Sequence, residues 1–286
     1  MTKLRKRMLS DLQLRGLAAT TQKDYILRVA KLGTYFRRPP DQLDATHVRQ
    51  FLHYLINRRK ASPATHHGYV AAFKFFYDVT VERPEVMASI PFPKVPKKLP
   101  EVLSRQEVEQ LLDATHALKY KALFMAAYGA GLRVSEACAL QTTDIDRSRM
   151  LIHVHAGKGS KDRYVMLSPR LLACLEQYWR AARPPGPYFF PARGRTEPIT
   201  RYTASLALDK VVAHCGLAKP VTMHSFRHAF ATHLLEAGTD IGVIQTMLGH
   251  SRIDTTARYT QVTALHTSSL CSPLELPPKP PTKEGG

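Results

Sequence analysis

Apolar residues recur at helical spacing along the first part of the chain. Over Ala19–Phe36 they fall at Tyr25, Val29, Leu32 and Phe36, three or four apart, which places them on one face of a helix. Ala45–Arg59 repeats the pattern with Val48, Phe51, Leu52, Leu55 and Ile56. A third helix is predicted from Ser62-Pro63, a polar cap followed by proline at the first helical position, running on through Tyr69, Val70, Phe73, Phe76 and Tyr77. These stripes read as the core of a helical unit. The opposite faces carry Arg28, Lys31, Arg58, Arg59 and Lys74, which makes those side chains candidate contacts for a polyanion.

Between Arg83 and Pro100 the texture changes. Pro84, Pro91, Pro93, Pro96 and Pro100 fall close together, with Lys94, Lys97 and Lys98 among them. Proline at that density disfavours helix and predicts an extended, stiff connector. Lys97 and Lys98 could lie along a phosphate backbone. Periodicity then resumes. Ser104-Arg-Gln-Glu107 is a capping box that opens a helix. Lys119–Tyr128 is apolar and is stopped by Gly129-Ala-Gly131, and Leu132–Leu140 is helical again. The period switches to two over Leu151–Ala156 and Arg163–Leu167, two strands joined by the Gly-rich loop Gly157–Asp162. Helices are predicted over Pro169–Ala182, Thr200–Cys215, Ser225–Ala237 and Asp240–Leu248, the last closed by Gly249. Ser272–Gly286 is rich in proline, lacks an apolar face and is expected to be disordered. The pattern gives a mainly α chain with a small antiparallel hairpin (α+β), divided as 1–83, a Pro/Lys-rich linker 84–100, 101–270, and a tail 271–286.

Charge narrows the partners. The 286 residues carry 41 Lys/Arg against 23 Asp/Glu, a net +18. The surplus is spread, with 17 Lys/Arg against 7 Asp/Glu in residues 1–96 alone. Both parts can therefore touch one polyanion, and nucleic acid is the commonest. Cys138, Cys174, Cys215 and Cys271 have neither metal-ligand spacing nor the density of a disulfide framework, as expected of free thiols in a reducing cytoplasm. No stretch approaches the ~20 apolar residues of a membrane span, and the basic N-terminus lacks the apolar run of a signal peptide. The expectation is a cytoplasmic, nucleoid-associated protein with no membrane partner.

Four segments concentrate groups suited to phosphodiester chemistry: Arg133 after a Gly-rich break with Glu136 three residues on, Lys158 between two glycines, His224-Ser-Phe-Arg227-His228, and Gly249-His250 with Tyr259 nine positions later. The transition state of phosphodiester exchange concentrates charge on the non-bridging oxygens. Arginine pairs with two such oxygens at once and never loses its charge. Two arginines with histidine donors form a clamp that needs no metal. Tyrosine can store the bond as a phosphoester, and a lysine can protonate the leaving 5′ oxygen. Each segment alone is an ordinary turn, cap or helix. The set in this order is specific.

At these residues the chain resembles the tyrosine recombinases, or phage-integrase family, in texture nearest the Xer-type and integron-integrase branches. The matching stretches are Gly129–Leu140, Gly157–Leu167, His224–Gly238 and Leu248–Val262. The insertion typical of integron integrases is not evident between Tyr188 and Thr200. The resemblance implies a two-domain DNA clamp, with a helical, SAM-like core-binding domain and a catalytic domain. It implies that Arg133 and Arg227 bind the scissile phosphate, that His224 supports proton transfer, and that His250 donates to a non-bridging oxygen. Lys158 would be the general acid, with Lys161 its rival, and Tyr259 the nucleophile. Glu136 would orient Arg133. It further implies a homo-tetramer on two duplexes, acting at inverted-repeat sites through a Holliday junction without metal, nucleotide or other cofactor. In many relatives a helix after the nucleophile docks on the neighbouring subunit; here 262–270 is short and polar. A type IB topoisomerase and a DNA-binding regulator without chemistry are the competing readings.

Overall fold

The structure, a computed structural model, describes residues 2–96, 101–155, 162–249 and 272–275. The chain divides into two compact units, Met1–Leu99 and Pro100–Gly286.

The N-terminal unit is helical among its described residues: α1 (Lys3–Leu14), α2 (Ala19–Phe36), α3 (Ala45–Asn57), α4 (Pro63–Phe75) with a π-helical turn over Phe76–Thr80, and α5 (Glu85–Ala88). Side-chain oxygens of Thr2, Asp44 and Ser62 accept from backbone N–H groups one turn inside α1, α3 and α4, which satisfies donors that a helix start leaves open. Leu32, Val48, Phe51, Leu55, Val70, Phe73, Phe76 and Tyr77 are buried together. Ile56, expected in that stripe, is exposed; α3 presents Leu52 and Leu55 to the core instead. α1 was not marked out by the apolar pattern. It buries Met8 and Leu12, one turn apart.

The proline-rich stretch does hold a helix. Pro84 precedes α5, where proline costs the helix nothing, and Val86 and Met87 are buried in the N-terminal core. Two apolar side chains against a ready surface outweigh proline density further along.

The C-terminal unit contains α6 (Arg105–Asp113), α7 (Leu118–Gly129), α8 (Val134–Cys138), β1 (Ile145–Asp146), β2 (Leu151–Val154), β3 (Arg163–Met166), α9 (Pro169–Ala182), α10 (Arg201–Cys215), α11 (Met223–Glu236) and α12 (Ile241–Leu248). The expected capping box opens α6: Ser104 Oγ accepts from Glu107 N, and Glu107 accepts from Ser104 N. α7 is the central pole. Every residue from Ala122 to Gly129 is buried, and the helix packs against α9 and α11. The strands form an antiparallel sheet in the order β1-β2-β3, with His153 opposite Tyr164 and Val154 opposite Arg163. β1 is too short to carry a readable period.

Residues 272–275 form a packed turn where the sequence led to an expectation of disorder; 271 and 276–286 lie outside the described residues. Leu274 is buried against α7 and α9. Ser272 Oγ donates to Gly129 O at 2.9 Å, and Arg170 Nη1 donates to Leu274 O at 3.1 Å. A Cβ on Gly129 would stand 2.2 Å from Leu274 Cδ1, so this glycine ends α7 and makes room for the returning chain. One leucine delivered by a turn suffices where no apolar face exists. No helix among the described residues is long and apolar enough to cross a membrane.

Leu274→Ala should lower the stability of the C-terminal unit by about 2–3 kcal/mol, the usual cost of emptying a buried leucine site. Urea unfolding followed by Trp179 fluorescence would read it. An unchanged midpoint would mean that the turn is not part of the core.

Candidate active site

The site begins where α7 ends. Gly131 takes the left-handed conformation (φ 62°), and a Cβ there would lie 2.5 Å from the ring of Phe230. Only glycine lets the chain turn while α11 stays this close. The turn delivers Arg133 in extended conformation just before α8. Glu136, in the first turn of α8, reaches back. Its Oε2 accepts from Arg133 N at 2.8 Å, and its Oε1 accepts from Arg133 Nη1 at 2.8 Å. A helix-capping carboxylate thereby also orients the arginine side chain.

Two further guanidinium groups converge on the same carboxylate. Arg163, at the start of β3, donates Nη1 to Oε1 at 2.9 Å and Nη2 to Oε2 at 2.7 Å. Arg227 of α11 donates Nη1 to Gly131 O at 2.7 Å, and the same nitrogen lies 3.8 Å from Glu136 Oε2. The side chains of Glu136, Arg163 and Arg227 are only 14%, 7% and 3% exposed, and that of Arg133 is 36% exposed.

Each arginine also grips the end of α12. Arg163 Nε donates to Met247 O at 2.6 Å, Arg227 Nη2 to Leu248 O, and Arg133 Nη2 to Gly249 O at 3.1 Å. Three consecutive carbonyls thus take three guanidinium donors from three different elements. The last carbonyls of a helix lack intrahelical partners and sit at the negative end of its dipole, so cations suit them. Gly249, at φ 62°, closes α12 directly against Arg163.

The electrostatics leave an unbalanced positive charge. Three guanidinium groups face one carboxylate in a largely dry setting. Burial alone would raise the Glu136 carboxyl. Hydrogen bonds from Arg163 and from the Arg133 N–H, with the Arg163 charge, outweigh it and hold the group down at about 2. Burial, then the neighbouring charges of Arg133 and Arg163, push Arg227 down to about 10, still cationic at neutral pH. Such a cluster is short of one or two negative charges. A phosphodiester brings one, and its transition state brings more.

A family model described as "Phage integrase family" matches residues 101–266, and one described as "Phage integrase, N-terminal SAM-like domain" matches 4–85. The chain belongs to the phage integrase family. It is a tyrosine recombinase of Xer-like type, an enzyme of DNA strand transfer in site-specific recombination. It is 45% identical over 281 residues to the predicted integrase/recombinase y4qK of Sinorhizobium fredii, covering 98% of this chain and 91% of that one. It is 36% identical over 272 residues to the tyrosine recombinase XerC of Myxococcus xanthus, covering 87% and 89%. Among solved structures, a lambda integrase fragment, a dimer bound to a COC′ core site, superposes with a TM-score of 0.70 at 19% identity, covering 88% of this chain and 95% of that one. XerH bound to its difH substrate superposes at 0.65 and 20%, covering 87% and 79%. These two support the fold, a helical N-terminal domain followed by a mainly helical domain with a small antiparallel sheet.

In this recombinase Arg133, Glu136 and Arg227 come together as described. His224 lies one turn before Arg227 on α11 and is exposed, its ring edge-on to that of His228 with centroids 4.3 Å apart. Lys158, Lys161, His250 and Tyr259 lie outside the described residues, as do Lys97 and Lys98. Of the candidate polyanion contacts, Lys31, Arg58 and Arg59 are exposed, and Lys74 is exposed but paired with Asp78 at 2.8 Å. Arg28 does not lie on an exposed face. It donates to Asp24 Oδ2 and Thr65 O, and its guanidinium covers the Tyr69 ring at 4.8 Å. A Cβ on Gly68 would stand 2.5 Å from it. Arg28 is a brace between α2 and α4.

Arg163 was missed in the sequence. One signal was there: it shares strand parity with the buried Val165, so the alternation that buries the valine buries the arginine as well, and a buried arginine needs a carboxylate.

The pH dependence of stability follows from Glu136. Its folded pKa, about 2, lies below the ordinary value of 4.5, so its stabilisation is present above pH 4.5 and is lost as pH falls towards 2. The drop corresponds to about 3 kcal/mol. Glu136→Gln should be less stable than the native chain at pH 7 and should lack this part of the acid-side slope. Parallel acid-unfolding curves for the two proteins would contradict the assignment.

Proposed function

We propose that this recombinase cuts and rejoins DNA through a 3′-phosphotyrosyl link formed by Tyr259, with Arg133 and Arg227 holding the scissile phosphate. The observation that carries this reading is the convergence of those two guanidinium groups on Glu136 and the end of α12, directly before His250.

The tyrosine oxygen attacks phosphorus as its proton passes to His224, and the bond to the 5′ oxygen breaks. Lys158 delivers a proton to that oxygen, leaving a free 5′ hydroxyl, with Lys161 the alternative donor. Arg133, the outer of the two arginines, has two of its five N–H donors engaged among the described residues. Its remaining donors suit a phosphate oxygen. Arg227 forms the deeper end of the cluster. His224 supports proton transfer, and His250 donates to a non-bridging oxygen. In the second half a 5′ hydroxyl from the partner duplex attacks the phosphotyrosyl phosphorus and releases the phenol. The bond energy is kept in the ester, so strand exchange through a Holliday junction needs no nucleotide.

The N-terminal unit is the core-binding half, in keeping with its helical fold and its surplus of ten positive charges over residues 1–96. Lys31, Arg58, Arg59, Lys74, Lys97 and Lys98 are its candidate backbone contacts. The working assembly is a homo-tetramer on two duplexes whose sites are inverted repeats. Relaxation without synapsis and binding without chemistry are not favoured by the relatives.

A nicked suicide duplex carrying the site should trap a covalent adduct that Tyr259→Phe does not form; an adduct in the mutant would place the nucleophile elsewhere. Arg133→Ala should bind DNA and cleave slower by about 10²–10³-fold, the usual loss for one transition-state donor. Affinity should also fall steeply between 50 and 200 mM salt, as expected for many phosphate contacts. A flat dependence in a filter-binding series would argue against the clamp.

A further inference from the structure

The β2–β3 hairpin has two faces. The inner face carries Ile152, Val154, Arg163 and Val165, all buried, with Arg163 turned to Glu136. Alternation puts His153 and His155 on the other face. His155 and Asp162 are the residues next to the last strand pair, Val154↔Arg163, one on each side of the hairpin. Three side chains thereby share one exposed patch. A nitrogen from each histidine and a carboxylate oxygen of Asp162 all lie within 4.8 Å of one another. The two imidazole centroids are 4.3 Å apart, and His153 Nε2 is 3.3 Å from Asp162 Oδ2.

A fourth residue prepares the group. Asp144, buried in the turn before β1, accepts from His155 Nε2 at 2.7 Å, and its other oxygen accepts from Gln141 N at 2.8 Å. In a neutral imidazole, protonation at Nε2 leaves Nδ1 with its lone pair free. A buried carboxylate that fixes the tautomer of an exposed histidine is the arrangement that orients metal-binding histidines. Neither the phosphate chemistry nor the core uses these groups.

We propose that His153, His155 and Asp162 form a binding site for a zinc-class divalent cation, oriented by Asp144, on the hairpin face turned away from Glu136. Two imidazoles and one carboxylate match the ligand preference of Zn²⁺, Co²⁺ or Ni²⁺ and not that of Mg²⁺ or Ca²⁺, which take oxygen. Three protein ligands leave the fourth tetrahedral position to water. The ion bridges β2 and β3 at the open end of their ladder. The site lies across the sheet from the arginine cluster, and its ligands His155 and Asp162 flank in sequence the segment that carries Lys158.

The full chain, stripped of metal with a chelator, would be titrated with ZnCl₂ by calorimetry in the presence of excess Mg²⁺. One tight equivalent is expected. His153→Ala and His155→Ala should each remove it, Asp144→Asn should weaken it by about 10–100-fold, and His228→Ala should leave it in place. Circular dichroism would show that the histidine variants stay folded, and Co²⁺ loaded in place of zinc should give the intense visible bands of a four-coordinate site. The proposal is overturned if native protein and both β2 histidine variants titrate alike, if Mg²⁺ displaces the ion, or if His228→Ala removes the tight equivalent, which would move the site to the histidine pair on α11. DNA cleavage is not a readout here, so failure of the phosphotyrosine reading would leave this result standing.

Discussion

The carboxylate of Glu136 is the point on which the catalytic unit closes. Guanidinium groups from the start of α8, the start of β3 and the middle of α11 meet around it, and without a shared anion they would repel one another at close range. The same three groups hold the last carbonyls of α12. Four elements distant in sequence are thus tied through one acid and one helix end. Breaking a buried pair of this kind leaves uncompensated charge, which commonly costs about 3–5 kcal/mol. The arrangement is also incomplete in charge, and that incompleteness is what makes it a receptor for phosphate.

Positioning here is done by backbone as much as by side chains. Gly131 lets the chain turn against Phe230, and Gly249 closes α12 against Arg163. Two residues before Gly131, at the last position of α7, Gly129 admits Leu274. Each glycine marks a close approach, and two of the three also need a left-handed backbone. α7 is buried from Ala122 to Gly129, so the Gly-rich break that follows it starts from a packed base. A side chain that must meet a phosphorus atom within a fraction of an ångström gains from such support.

The hairpin serves two purposes through strand alternation. Its inner face supplies Arg163 to the cluster, while its outer face gathers His153, His155 and Asp162. The strands are short, four residues each; their register places His153 and Arg163, and His155 and Asp162 follow directly at the open end. The N-terminal unit solves a simpler problem. Capped amphipathic helices bury one aromatic-rich core, and Arg28 is spent on bracing α2 to α4.

Period and punctuation in the chain determined most of the elements by themselves. α2 and α9 fall on their predicted ranges, and the Ser104 capping box forms as read, because caps and apolar spacing act within a few residues. The order of Arg133, Lys158, His224, Arg227, His250 and Tyr259 likewise pointed to the family. What the tertiary structure decided are contacts over long separations. Arg163 counts because Glu136 and Met247 lie beside it, and Leu274 because Gly129 leaves a hole. α5 forms because a core stands ready for Val86 and Met87, and Arg28 turns inward because Tyr69 and Thr65 offer it partners. Local periodicity reports which face of an element is apolar. It does not report which distant groups will be there to meet it.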